Sequence, residues 1–302
     1  MSQVYVDLRA KVCGYLWGYL MCRLFGLTAG NARVNATFWL LEASDSLEAQ
    51  SHRNADGAGL GFFGPAGEPV LDKWPEPAFS DREFVREAKQ AEASVFVAHV
   101  RWATAGGRTV QNTHPFVMNG RLMAHNGGFG QLAQLDKELG SYARLVLGDT
   151  DSERYFALIT KETDAHGGDV GAGITAAASW IAARLPVSAL NAIVAIPGEL
   201  WALRYPGQHA LHILERPAGP GPGEPGMHVR SATSSVHVPA LEAVASVIIA
   251  SEQLDGESGW RMLAPGELVH IRPDLSVQSG IAIPQPPAHL VPLPAGNPNI
   301  DT

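Results

Sequence analysis

Cys22 is the residue whose type and place point to covalent chemistry. It stands directly behind Met21. If the chain is cut between the two, Cys22 carries both a thiol and a free α-amine. An α-amine has an ordinary pKa of about 7.7–8.0, so it can accept a proton near neutral pH without help from a histidine. One residue then supplies nucleophile and base. A lone cysteine in apolar surroundings is more often an inert core residue, because free cysteine is among the most buried types. Position, and not residue type, singles out Cys22.

Two further groups suit amide chemistry. In AHNGGF, the Asn126 side-chain amide and the Gly127 backbone N–H are donors that can meet a developing alkoxide, and glycine allows close approach to the backbone. Alone, Asn-Gly-Gly reads equally as a hairpin turn. Arg101 ends the run VFVAHVRWAT, and Asp151 opens a helix in GDTDSE. Separately they are an ordinary strand-end cation and an ordinary helix-start acid. Together they fit an α-amino acid, the guanidinium gripping its carboxylate and the aspartate its ammonium.

The elements that must position these residues follow from periodicity. RLFGLT after Cys22, LGFF, SVFVAHV and RLMAHN read as strands, two of them running into glycine-rich or polar turns. Residues 36–50 have Phe38, Leu41 and Leu47 at helical spacing, and 81–92 form a polar helix. Residues 149–162 begin with capping side chains, Thr150 and Ser152, and continue as a helix, followed by an alanine-rich one over 173–185. ALNAIVAIP, ELWALRYP, ALHILERP, MHVRSA, SVIIASE and ELVHIRP are short strands at hairpin spacing, with the loop PAGPGPGEPG between two of them. Strands and helices come in segregated pairs without βαβ alternation, which favours antiparallel sheets with helices packed outside. From Pro284 onward the chain is proline-rich, and a tail without regular structure is expected there.

The bulk properties narrow the classes. The chain has 302 residues, 46% of them apolar, and a formal net charge of −8. That disfavours a nucleic-acid groove, which needs a basic face. Two cysteines, Cys13 and Cys22, are too few for a disulfide framework and suggest a reducing, cytoplasmic setting. No metal-ligand spacing is visible, and no metal or organic cofactor is expected. Residues 1–21 carry Arg9 and Lys11 ahead of an apolar run that lacks a small-residue cleavage pattern and is too short to span a membrane. They read as a removed propeptide or as sequence upstream of the true start at Met21, and the second reading is preferred.

Cys22, RNADGAG (53–59), HVRWATAG (99–106), NTHPF (112–116), AHNGG (124–128) and TDSE (150–153) occur in the order and approximate spacing of the class II glutamine amidotransferase domain, which this chain resembles from Cys22 to about Arg272. The resemblance implies an α+β fold, the N-terminal-nucleophile hydrolase four-layer αββα sandwich with two antiparallel sheets, over residues 22–283. It implies Cys22 as catalytic thiol, with Asn126 and Gly127 as oxyanion hole. Arg101, Trp102, Thr104 and Asp151 match glutamine-holding positions, and Arg53 matches an arginine near the nucleophile. His114 lies in the THPF segment, where structural and chemical roles are equally open. Ala105 departs from the histidine of several synthase-linked members. No acceptor-side synthase motif follows, so ammonia is expected to pass to solvent or to a separate partner protein. The expected activity is hydrolysis of the γ-glutamyl amide of glutamine. Two alternatives stand beside it: cleavage of a larger γ-glutamyl amine such as γ-glutamyl hercynylcysteine sulfoxide, and a silent glutamine-binding or regulatory subunit.

Overall fold

The computed structural model describes residues 21–103, 106–219 and 244–292, together with two short strands at Val229–Arg230 and Ser235–Val236. Thr104 and Ala105 lie outside the described residues, as do residues 1–20 and most of the glycine–proline loop at 217–226.

Two seven-stranded sheets dominate. In chain order the first contains β1 (Arg23–Thr28), β2 (Ala58–Phe63), β3 (Pro69–Trp74) and β4 (Val95–Val100). The second begins with β5 (Phe116–Met118), β6 (Arg121–Phe129), β7 (Pro186–Ile196) and β8 (Glu199–Leu203). The chain returns to the first sheet with β9 (His212–Arg216), β10 (Ser246–Ala250) and β11 (Arg261–Met262), then closes the second with β12 (Glu267–Ile271), β13 (Val277–Ile281) and β14 (His289–Leu290). The strand orders are β11-β9-β10-β1-β4-β2-β3 and β13-β12-β8-β7-β6-β5, with β14 on β7.

Side-chain alternation explains the layering. Along β1, Leu24 belongs to the core between the sheets, whereas Phe25 and Leu27 belong to the core under the first sheet's outer helices. In β4, Val95 and Val97 face inward and Phe96, Ala98 and Val100 outward. In the second sheet Leu122, Ala124, Ile193 and Ala195 face the first sheet, and Met123, Ala192 and Val194 face helices. The outer helices are α1 (Leu47–Ser51) and α2 (Arg82–Gln90) on one side, and α3 (Leu132–Leu139), α4 (Asp151–Ala165) and α5 (Val170–Arg184) on the other. Each fully buried leucine or phenylalanine contributes roughly 1.5–3 kcal/mol. The result is the αββα sandwich that the motifs implied. At Gly26 the sheets approach so closely that a Cβ would lie 3.0 Å from the Leu200 side chain.

Two local expectations are corrected. Residues 36–50 do not form one helix: a π-helical turn, Phe38–Glu42, is followed by α1, because the Ser46 side chain accepts the Ala49 N–H and restarts the helix. The segment after Pro284 is not loose up to Val291. Tyr205 donates its hydroxyl to Gln285 O at 3.0 Å, β14 pairs in parallel with β7, and Val291 N–H reaches Val187 O at 2.8 Å. Prolines exclude a helix there but leave the intervening N–H groups free to pair at a sheet edge. β14 is also the one parallel partner among the described pairings of an otherwise antiparallel sheet.

Candidate active site

Cys22 immediately precedes β1, on the same side of the strand as Leu24, and so points toward the space between the sheets. Its Sγ donates to Trp102 O at 3.3 Å, and Trp102 N–H lies 3.3 Å from the same sulfur. Burial pushes the thiol up to about 11, opposed by the Trp102 backbone and the Arg101 and Arg23 charges and reinforced by Asp151. Thiol, guanidinium and carboxylate therefore lie within electrostatic reach of one another. In the described chain Met21 still acylates the Cys22 nitrogen.

The Trp102 backbone is held by the glycine-bearing turn before β2. Arg101 N–H donates to Gly57 O at 2.7 Å, Asp56 N–H donates to Arg101 O at 3.0 Å, and Asp56 Oδ2 accepts the Ala103 N–H at 2.9 Å. Asp56 is fully buried and ion-paired with Arg108. Residues 101–103 are thus splinted on both edges, and the buried Arg101 guanidinium bends back to donate to Gly107 O at 3.1 Å and Gly106 O at 3.4 Å.

The second sheet supplies the other wall. Asn126 shares the inward side of β6 with Leu122 and Ala124, and its side chain is buried with no hydrogen bond among the described residues. Gly127 adopts φ +154°, and a Cβ there would lie 2.0 Å from Ala189 O. No other residue fits that backbone beside β7. Between Gly128 and Phe129 the β6–β7 register shifts by a bulge, and the Phe129 N–H donates to Asp151 Oδ2 at 3.2 Å. Asp151 Oδ1 accepts the Ser152 N–H at 2.8 Å. Asp151 opens α4, whose N-terminal dipole favours a carboxylate. His125 Nδ1 lies 2.9 Å from Ser152 Oγ and Nε2 lies 3.3 Å from Ala189 O, which ties β6, β7 and α4 together.

Cys22, Arg101, Trp102 and Asp151 lie within contact or electrostatic reach of one another, and Asn126 and Gly127 stand on β6 just before the bulge that bonds Asp151. Arg53 is set back. It is half exposed, bonded to Asp45 Oδ1 at 3.0 Å and 3.6 Å from Glu252 Oε2, and reaches the Cys22 end of β1 only through Glu252, which pairs with Arg23. His114 is buried, its ring 4.2 Å from that of His99 and 4.5 Å from that of Phe116, with both ring nitrogens unpartnered among the described residues. Burial holds its pKa well below the ordinary histidine range and pushes His99 down to about 3. Burial thus favours the neutral form of both imidazoles. Gly59 makes room for this segment, since a Cβ there would strike His114 O at 2.2 Å.

Sequence reasoning missed the supports Arg23, Asp56, Asn112, His125 and Glu252, and it took Ser152 for a helix cap, where Thr150 alone caps α4 and the Ser152 hydroxyl meets His125. Asn112 donates to the same Gly107 carbonyl that Arg101 uses, and its Oδ1 accepts the Asp149 N–H at 2.8 Å. Asp56, Asn112, His125 and Ser152 all lie within the motifs, which was the one signal available for them.

A thiol within electrostatic reach of a buried guanidinium and a carboxylate has the groups that nucleophilic chemistry on an amino acid requires. The sequence profile described as "Glutamine amidotransferases class-II" matches residues 21–286. The chain belongs to this family. Among its relatives in the family, the Saccharomyces cerevisiae protein named "Probable glutamine amidotransferase DUG3" is 29% identical over 133 residues, 41% of this chain and 37% of that protein. The Corynebacterium glutamicum glutamine–fructose-6-phosphate aminotransferase (isomerizing) is 30% identical over 152 residues, 49% of this chain and 24% of the enzyme. The matched region thus spans well under half the length of these amidotransferase relatives. Among solved structures, the glutamine aminotransferase class-II domain protein of Silicibacter pomeroyi superposes with a TM-score of 0.56 at 19% identity, covering 86% of this chain and 99% of that one. Glutamine phosphoribosylpyrophosphate amidotransferase from B. subtilis gives 0.57 at 17% identity, covering 88% and 50%. At these identities the likeness shows the fold alone, the four-layer αββα sandwich.

Proposed function

We propose that the protein hydrolyses the γ-glutamyl amide of glutamine through a thioester on Cys22, once residues 1–21 are gone. The contact of the Cys22 thiol with the Trp102 backbone, within electrostatic reach of Arg101 and Asp151, carries this reading. Arg101 binds the substrate α-carboxylate and Asp151 its α-ammonium, with Trp102 and Thr104 lining the same head group and Arg53 supporting it from behind Glu252. Cys22 Sγ attacks the γ-carbonyl while its α-amine takes the thiol proton. The resulting oxyanion is met by the Asn126 amide and the Gly127 N–H. The amine passes the proton to the leaving nitrogen, ammonia departs, and the thioester forms. Water then attacks the thioester, glutamate leaves, and the thiol is restored. Ammonia goes to solvent or to a separate acceptor protein, in a cytoplasmic setting.

Matching of the family profile from Met21 onward supports the view that residues 1–20 stand outside the working domain. Intact-mass measurement of the purified protein is expected to give a chain starting at Cys22, whereas a species starting at Met1 sinks the self-activating mechanism. Cys22→Ala is expected to abolish glutaminase activity. Persistence of hydrolysis with glutamine and with larger γ-glutamyl amines in that variant overturns the assignment.

A further inference from the structure

Arg23 occupies the position after the nucleophile, and its side chain is nearly fully buried. It turns back along its own backbone. Nη1 donates to Met21 O at 2.7 Å and lies 3.4 Å from Cys22 O, while Nη2 is ion-paired with Glu252. The Met21 oxygen and the Cys22 nitrogen share one carbonyl carbon through bonds of about 1.23 and 1.33 Å, so the guanidinium stands within about 5 Å of that nitrogen. Glu252 anchors it there from the end of β10 and is itself shared with Arg53, which Asp45 holds in turn. We infer that Arg23 is a positioning and electrostatic residue that keeps the Cys22 α-amine unprotonated at neutral pH, with Glu252 setting how strongly it does so.

This inference rests on the proposed use of that amine as the base. A fixed cation at such a distance disfavours a second positive charge, so it lowers the amine pKa and raises the fraction able to take the thiol proton. The other charged groups facing this end of β1 are Arg101, Asp151 and Glu252, with Arg53 and Asp45 behind Glu252. The nearby histidines are neutral: burial pushes His99 down to about 3 and His209 to about 4. Among these groups Arg23 is the one whose donor bonds the very carbonyl that is lost when Met21 leaves. The Glu252 pair remains to hold it.

The test is the pH dependence of kcat/KM for glutamine in the processed protein. Arg23→Gln is expected to move the acid limb up by about one pH unit, costing roughly tenfold at pH 7 and little at pH 9. Arg23→Lys keeps the charge and holds the limb near its original place. Glu252→Gln removes the opposing charge and shifts the limb the other way, to lower pH. A loss in Arg23→Gln that is uniform across pH, or an unmoved limb, overturns the inference. If Arg23→Gln fails to fold, Glu252→Gln decides alone, and an unmoved or upward limb there is refutation. Failure of the underlying reading looks different: activity surviving Cys22→Ala, or a mature chain in which the amine is still acylated.

Discussion

The two sheets contribute to the site in different ways. The first sheet brings Cys22, Arg23 and Arg101, whose proposed work depends on charge: a thiol pushed up to about 11 by burial and pulled back by two guanidinium groups. The second, with the helix packed on it, brings Asn126, Gly127 and Asp151, whose proposed work depends on fixed geometry: a strand with no room for a Cβ, a bulge that frees the Phe129 N–H, and a helix start that holds the carboxylate. A charge acts through its field, so substitutions on the first sheet should show chiefly in the pH profile, with a separate stability loss where a buried pair such as Arg23–Glu252 is broken. On the second sheet the same backbone contacts hold both site and sandwich, so function and stability should fall together.

Gly127→Ala is the severest test of that difference. The new Cβ would sit 2.0 Å from Ala189 O and 2.9 Å from His125 Nε2, at a φ that side chains rarely adopt. Overpacking and backbone strain each cost about 1–3 kcal/mol, so the melting temperature should drop by several degrees. Misplacing an oxyanion donor should lower kcat on the order of 10²-fold. A variant as stable as the parent but inactive would break the coupling proposed for this sheet. Asp151→Asn comes next. The amide cannot supply the charge that an ammonium needs, so KM for glutamine should rise about tenfold or more while kcat changes much less. Melting should also shift, because Asp151 joins α4 to the β6 bulge. An equal loss in kcat and kcat/KM would instead place this carboxylate in the transition state.

How far the sequence foretold this differs between the same two regions. Strands β1, β4, β6 and β7 were readable as apolar, β-prone runs, and the antiparallel layering from strands and helices that come in segregated pairs. The ordered motifs named the candidate site residues. The supports were not readable: Arg23 finds Glu252 across β1 and β10, and Asp56 finds Ala103 across a turn, so each pairing exists only once the sheets have formed. The break in the helix after Glu42 was missed because Phe38, Leu41 and Leu47 keep helical spacing across it, while the Ser46 cap decides otherwise. The docking of residues 285–291 was missed because proline content argued for a loose tail, although the backbone donors between the prolines suffice for edge pairing.

Ser152→Ala should give the smallest effect and sharpen the comparison most. Ala189 O can only accept, so His125 Nε2 carries the proton and Nδ1 is left as acceptor. The Ser152 hydroxyl 2.9 Å away must then donate to Nδ1, which turns its hydrogen away from Asp151 Oδ1 at 3.3 Å. Among the described residues Asp151 then keeps the Ser152 and Phe129 N–H groups as donors, leaving lone pairs for the proposed ammonium. Removing the hydroxyl strands a buried imidazole acceptor, which costs about 1–3 kcal/mol of stability, yet it takes nothing directly from the carboxylate. The expected outcome is a measurable fall in melting temperature with KM for glutamine changed less than about threefold. A KM as high as that of Asp151→Asn would mean that the hydroxyl itself belongs to the ammonium subsite, and that the second sheet tunes charge as the first one does.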